Sequence, residues 1–295
     1  MKLKNYCGYR DFEIDFTDGE DVKMWAILYG PNGSFKSTFL QAVDLLINPT
    51  RFTMKKNMLT FRRLKYHEDY AAGSEATFND VSHLIMEAVF DVNGIEKKVV
   101  LEDNVNGVIF AGRQVDESKG EISGVRTNDL TRLEEGVIFI DADSKNMMTY
   151  FQIIDELVEP FCDFATAVYG LKCYCPEKTF SYDRGMKFIG DFVIEKPDRV
   201  TGAITKVHYK KFSDGEKKLA TLISSLFKRA HKGSPDRDNS NIVIIDNVEC
   251  HIYWKRHMIL LRKMEEHFSD MQFIATTHSP VIIKEMDKKH LVDME

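Results

Sequence analysis

No stretch of this 295-residue sequence approaches the roughly 18 consecutive apolar residues that a membrane-spanning helix needs. The opening, Met1 to Arg10, lacks the apolar core of a secretory leader. There is no surplus of positive charge. The 40 Lys and Arg face 46 Asp and Glu, so the net charge of -6 does not draw in nucleic acid over the surface as a whole. Cysteine is scarce and scattered: Cys7, Cys162, Cys173, Cys175 and Cys250 are odd in number and suggest no disulfide framework. Cys173 and Cys175 stand two apart with no matching pair elsewhere, which makes a poor zinc site. Internal repeats, low-complexity tracts and long heptad segments are also missing. What remains is a soluble chain suited to a reducing cytoplasm, with no membrane role. It is long enough for one large α/β domain or two small ones.

The apolar pattern supplies the elements. Phe12, Ile14 and Phe16 alternate with polar residues as in a half-buried strand, before a turn at Thr17-Asp18-Gly19. Met24 to Tyr29 is a short apolar strand. Phe39, Leu40, Val43, Leu46 and Ile47 then recur at helical spacing, and Asn48-Pro49 stops that helix. Residues 82–102 read as a hairpin turning at Asn93-Gly94. Gly136 to Ile140 is another strand, Met147 to Leu171 is mostly helical, and 172–211 is irregular strand and loop. Leu219, Leu222, Ile223, Leu226, Phe227 and Ala230 share one helix face. After a polar loop, Ile242 to Ile245 is apolar throughout, as in a parallel strand covered on both sides. Trp254, Met258, Leu261 and Phe268 line the next helix, and Phe273 to Ala275 is a last core strand.

Four segments carry chemistry. Gly30-Pro31-Asn32-Gly33-Ser34-Phe35-Lys36-Ser37-Thr38 lies between a buried strand and a helix, the context of a P-loop. Backbone amides in such a loop form an anion nest, Lys36 reaches the outer phosphates and Ser37 binds Mg²⁺. Glycine usually precedes the lysine; here Phe35 does. Ile242 to Asp246 is a Walker B strand whose aspartate holds Mg²⁺, followed by Asn247 and Glu249. Phe212-Ser213-Asp214-Gly215-Glu216 precedes the long amphipathic helix. Ser213 and Glu216 have capping-box spacing, which leaves Gly215 unexplained unless the backbone meets a phosphate there. Ala275-Thr276-Thr277-His278-Ser279-Pro280 follows a core strand.

Together these segments resemble the ABC-type ATPase heads of the SMC, RecF and OLD-like group, to which the AAA_15 and AAA_21 families belong. The order of P-loop, signature, Walker B and switch histidine matches, and so do Asn5-Tyr6 and Phe12-x-Ile14-x-Phe16. The resemblance implies an α/β fold: a P-loop core sheet flanked by helices, with an antiparallel β lobe and no long coiled-coil arm. It implies one domain, with lobe I at about 1–140, a connecting segment at about 141–210 and lobe II at about 211–295. It further implies ATP and Mg²⁺ as cofactors. Ser213, Gly215 and Glu216 form the signature that meets ATP held by an opposite protomer, His278 senses the γ-phosphate, and Asp246 helps hold the metal. The family's glutamate after the Walker B aspartate is Asn247 here. That leaves Asn247, Glu249 and His278 as the candidate catalytic set and implies slow hydrolysis. Gln152, Asp141 and Asp143 are candidates for the Q-loop.

The chain reaches Glu295 shortly after His278, which leaves no room for a C-terminal nuclease; the expectation is a head without arm or effector. The implied partners are a second copy or a related head, joined by ATP, and a separate effector, a nuclease or toxin, as in phage-defence relatives of the Septu and OLD groups. Two other readings stand: a non-hydrolysing scaffold locked by ATP, and a RecF-like DNA-repair head. The second would use the basic patch from Arg51 to Lys65, where Lys55, Lys56, Arg62 and Arg63 interleave with Phe52 and Phe61. A solvated face of lobe I accounts for the same residues.

Overall fold

The computed structural model describes residues 1–6, 9–19, 21–47, 84–92, 95–104, 107–110, 113–116, 121–122, 137–141, 153–176, 180–183, 186–198, 200–231 and 242–295. The basic patch, Gln152, Asp143, Cys7 and the turns at Asn48-Pro49 and Asn93-Gly94 lie outside the described residues.

The apolar strands assemble into one five-stranded parallel sheet, in the order Val137–Asp141, Ile242–Asp246, Gln272–Thr276, Trp25–Tyr29, Leu291–Asp293. Strands from the first half and the last quarter of the chain therefore share a single sheet. Their apolar runs follow from burial on both faces, because alternate residues enter different layers. Trp25, Ile27, Val243, Ile245, Phe273 and Ala275 face one core; Leu28, Ile242, Ile244 and Ile274 face the other.

The second core lies under helix Lys36–Ile47, which is sandwiched between the parallel sheet and a seven-stranded antiparallel sheet. Phe39, Leu40, Val43, Leu46 and Ile47 are buried there, as their spacing predicts. The antiparallel sheet offers them a cross-strand row. Leu3 pairs with Met86, Met86 pairs with Leu101, and all three are fully buried. The hairpin joins Leu84–Val92 to Ile95–Asn104, with Val92 opposite Ile95.

On the other face pack helices Val158–Tyr169, Asp214–His231 and His257–His267. Trp25 stacks on Phe273 at 4.5 Å, and Phe161, Phe164, Phe227 and Phe268 meet mostly edge-on. Such pairs add about 0.5–1.5 kcal/mol each beyond area burial.

Four local readings differ from expectation. The last core strand is Leu291–Asp293, beyond Phe273 to Ala275, and it pairs in parallel with Trp25–Tyr29 at the edge of the sheet. Ala230 is exposed in the last turn of its helix. Trp254 is 54% exposed on a 3-10 turn that precedes its helix, so it does not line the core. The strand expected through Phe16 ends at Glu13, although Phe12 and Phe16 still pack on the second core. Among the described residues no helix is long and apolar enough to cross a membrane.

Candidate functional site

Parallel pairing puts the carboxyl ends of the core strands on one edge, the place where open α/β sheets receive ligands. Three of the motifs follow directly from those ends. The P-loop follows Trp25–Tyr29, Asn247 follows Ile242–Asp246, and Thr277-His278 follows Gln272–Thr276. Asp141 is the backbone partner of Asp246 in the adjoining strand.

Positive φ occurs at Gly30 (148°), Gly33 (86°) and Phe35 (61°). Left-handed geometry two residues apart is the kind of backbone that turns successive amides to one side. Phe35 takes the glycine-like conformation with a side chain attached, at a cost of about 1–2 kcal/mol. Its ring is 47% exposed and lies 6.1 Å from the Tyr9 ring. Its carbonyl is doubly fastened: the Tyr9 hydroxyl donates to it at 3.0 Å, and the Phe39 amide does so at 2.9 Å as the helix begins. The ring is thus accommodated outward, with the loop held in shape by its neighbours.

Lys36 is buried, and its ammonium donates to the Gly30 carbonyl (2.9 Å), the Pro31 carbonyl (2.8 Å) and Ser34 Oγ (3.3 Å). Burial pushes its pKa down, and the nearby carboxylates of Asp246 and Glu249 push back. Ser37 Oγ donates to Asp246 Oδ1 at 3.0 Å, which joins the P-loop to the Walker B strand.

Thr276 to His278 close onto Asp246 to Glu249 rung by rung. The Thr276 hydroxyl donates to Asp246 Oδ1 and accepts from the Asn247 amide at 2.8 Å. The Val248 amide donates to the Thr276 carbonyl at 3.0 Å. The Thr277 hydroxyl donates to Glu249 Oε2 and the His278 amide to Glu249 Oε1, each at 2.7 Å. Asn247 has φ of 54°, a left-handed value that asparagine tolerates better than most residues. His278 is exposed, between buried Thr277 and buried Ser279. Ser279 caps the following helix through the Ile282 amide and bonds buried His257 at 2.7 Å.

Ser213 and Glu216 form the reciprocal box their spacing predicts. The Ser213 amide and hydroxyl both donate to Glu216 Oε2 at 2.9 Å, and the Glu216 amide returns to Ser213 Oγ at 3.4 Å. Glu216 Oε1 pairs with Lys196. Burial pushes the Glu216 carboxyl up, but Lys196 and the Ser213 donors outweigh it and leave its pKa lowered. Gly215 has a reason within its own protomer. A Cβ there would stand 3.0 Å from His251 Cβ, and His251, itself at φ 66°, lies 3.2 Å from Lys218 Nζ. Helix Asp214–His231 is therefore in contact with the segment that follows strand Ile242–Asp246.

Sequence reasoning gave no roles to Thr276, Thr277, Tyr9, His251 or His257. The threonines were visible as a hydroxyl pair at a strand end; nothing local marks Tyr9. Among the described residues no group of three or more His, Cys, Asp or Glu could hold a metal by itself, Cys173 and Cys175 included.

The family model described as "AAA domain, putative AbiEii toxin, Type IV TA system" matches residues 92–284, about two thirds of the chain. The chain belongs to this AAA-domain family. Across 292 residues the AAA-domain chain is 22% identical to the Septu protein PtuA of Bacillus mycoides (strain KBAB4), covering 96% of this chain and 38% of that protein. It is 35% identical over 75 residues to the Retron Vc95 probable ATPase of Vibrio cholerae serotype O1 biovar El Tor, covering 24% of this chain and 15% of that protein. It thus spans well under half the length of these relatives. The SMC head domain from Thermotoga maritima has the same fold, with a TM-score of 0.55 at 19% identity, covering 96% of this chain and 89% of that one. An SmcHead bound to the C-winged helix domain of ScpA is similar, at TM-score 0.56 and 16% identity, covering 96% and 90%. The parallel core sheet with its antiparallel sheet accordingly has the fold of these SMC head domains.

Proposed function

We propose that this chain is an ATP-binding head that dimerises around ATP, hydrolyses it slowly and controls a separate effector. The observation that carries the reading is the meeting of Ser37 Oγ and Asp246 Oδ1 at 3.0 Å, beside buried Lys36 and beneath the left-handed turn at Gly33 and Phe35. Two hard oxygen donors, one from the first turn of helix Lys36–Ile47 and one from the end of strand Ile242–Asp246, suit Mg²⁺, which prefers one or two protein oxygens and completes its shell with water and phosphate. When bound, Mg²⁺ supplies charge neutralisation on the phosphates. The residues Gly30 to Thr38 cradle those phosphates, and the Lys36 ammonium exchanges loop carbonyls for phosphate oxygens. Asn247 orients a water by hydrogen bonding but takes no proton from it near neutral pH, so turnover is slow.

Ser213 and Gly215, with Glu216 holding their cap, serve ATP on a second protomer, and His278 meets the γ-phosphate. Lobe I (1–140), the connecting segment (141–210) and lobe II (211–295) form one ATPase domain around the shared sheet. Likeness to a Septu protein and a retron ATPase supports a role in phage defence, with a nuclease or toxin as effector. A scaffold locked by ATP is the second reading; it draws on the engagement of both Glu249 oxygens by the switch segment.

Sedimentation with and without Mg-ATP tests the dimer. The wild type goes from monomer to dimer with ATP, whereas Ser213→Arg stays monomeric and still binds nucleotide. An oligomeric state indifferent to both ATP and this substitution would sink the composite site.

A further inference from the structure

We propose that Glu249 is a positioning residue whose carboxylate clasps the loop carrying His278, and that it is not the base for hydrolysis. The inference rests on the reading of His278 as the residue that meets the γ-phosphate.

Both carboxylate oxygens are within 2.7 Å of donors on that loop, one a hydroxyl and one a backbone amide. Hydrogen bonds to an ionised acceptor are roughly twice as strong as neutral ones. Fixing the His278 amide fixes the origin of its side chain. The loop has no slack on either side. The Thr277 amide donates to the Leu28 carbonyl at 3.0 Å, on the strand that leads into the P-loop. The Ser279 amide donates to Thr277 Oγ1 at 3.0 Å. One residue earlier, Thr276 treats Asp246 in the same way. Two successive threonines thus serve two acids three positions apart, and His278 is the exposed residue at the end of this ladder. A shift at the Walker B segment is therefore passed to the imidazole through Glu249, which ties the detection of a γ-phosphate to the state of the metal-binding strand.

The test uses Glu249→Gln, Thr277→Val, their combination, and Thr277→Ser as the conservative control. Glutamine keeps one acceptor and turns an amide donor toward a donor; valine removes the hydroxyl at similar shape. Binding of ATP and ADP is titrated for each variant, and ATP hydrolysis is followed in a single turnover. The clasp predicts that each single variant weakens ATP roughly tenfold with ADP unchanged. The double variant is then no worse than either single one, and Thr277→Ser restores ATP binding. Hydrolysis lower by about 10²-fold or more in Glu249→Gln, with ATP binding intact and Thr277→Val unaffected, overturns the proposal in favour of a base. Equal weakening of ATP and ADP with a lowered melting temperature overturns it in favour of a purely structural role. If the wild type binds neither nucleotide, the ATPase reading itself fails. Hydrogen exchange in the nucleotide-free protein still decides the clasp: the His278 amide exchanges slowly in the wild type and faster in both single variants. An amide indifferent to the substitutions refutes it.

Discussion

The strand-end loops at Gly30 to Thr38 and Asn247 to His278, and the helix start at Ser213, hold their backbones in place by opposite means. At the first, Phe35 and Asn247 hold left-handed backbones, and the loops are fastened by bonds between distant segments: Tyr9 to Phe35, Ser37 to Asp246, Thr277 to Glu249. At the helix start, Ser213 and Glu216 satisfy each other across three residues, with Lys196 in support. The first arrangement exists only once the sheet is assembled. The second forms with the first turn of its helix. Function that depends on exact donor placement is therefore exposed to distant substitutions at the loops and mainly to local ones at the helix start.

The largest break in that comparison is expected from Lys36→Ala. It removes the cation that offsets phosphate charge, and nucleotide titration should show ATP binding lost by at least about 10²-fold, since pairing a buried charge is worth several kcal/mol. Equal binding by variant and wild type would end the P-loop reading. Next comes Asn247→Glu, which restores a proton acceptor after the Walker B aspartate. Steady-state hydrolysis should rise at least tenfold, within the roughly 10²–10⁴-fold that a positioned base contributes. The melting temperature should fall, because glutamate fits φ of 54° less well than asparagine. Brisk wild-type turnover that the substitution leaves unchanged would contradict slow hydrolysis.

Phe35→Gly sharpens the contrast more gently. It relieves about 1 kcal/mol of left-handed strain and should tighten ATP several-fold by calorimetry. Unchanged binding would show that the outward ring, beside Tyr9, is accommodated without cost, and weaker binding that it contributes to the site. The smallest effect belongs to the helix start at Ser213. The Glu216 pKa is lowered on folding, so its contribution is fully present above the ordinary glutamate value and is lost as pH falls through the folded one. Lys196→Met should cost less than about 1 kcal/mol at pH 7, since the pair is partly open to solvent. Denaturant curves of wild type and variant should then converge in acid. A gap that persists or widens there would contradict the ion pair.

Much of the fold was legible because its signals are local or periodic. Ile242 to Ile245 has to be covered on both faces, and Phe39, Leu40, Val43 and Leu46 have to share one face of a helix. Trp254 was misread for the same reason: apolar residues at helical spacing say nothing about a 3-10 turn that lifts the first of them into solvent. Glu249 stood out as an acid near the Walker B strand, yet its partners lie 28 and 29 residues further along and have no local signature.

The sequence by itself determined four of the five core strands, the amphipathic helices, the segment Gly30 to Thr38 and the capping box at Ser213 and Glu216. Each of these depends on neighbours within a few residues, where covalent geometry keeps the groups in reach. Only the tertiary structure decided that Thr276 and Thr277 meet Asp246 and Glu249, that His251 lies against Gly215 and that Tyr9 holds Phe35. Those contacts join residues 26 to 36 apart along the chain, and chain entropy opposes each of them until the sheets are assembled and the segments brought together.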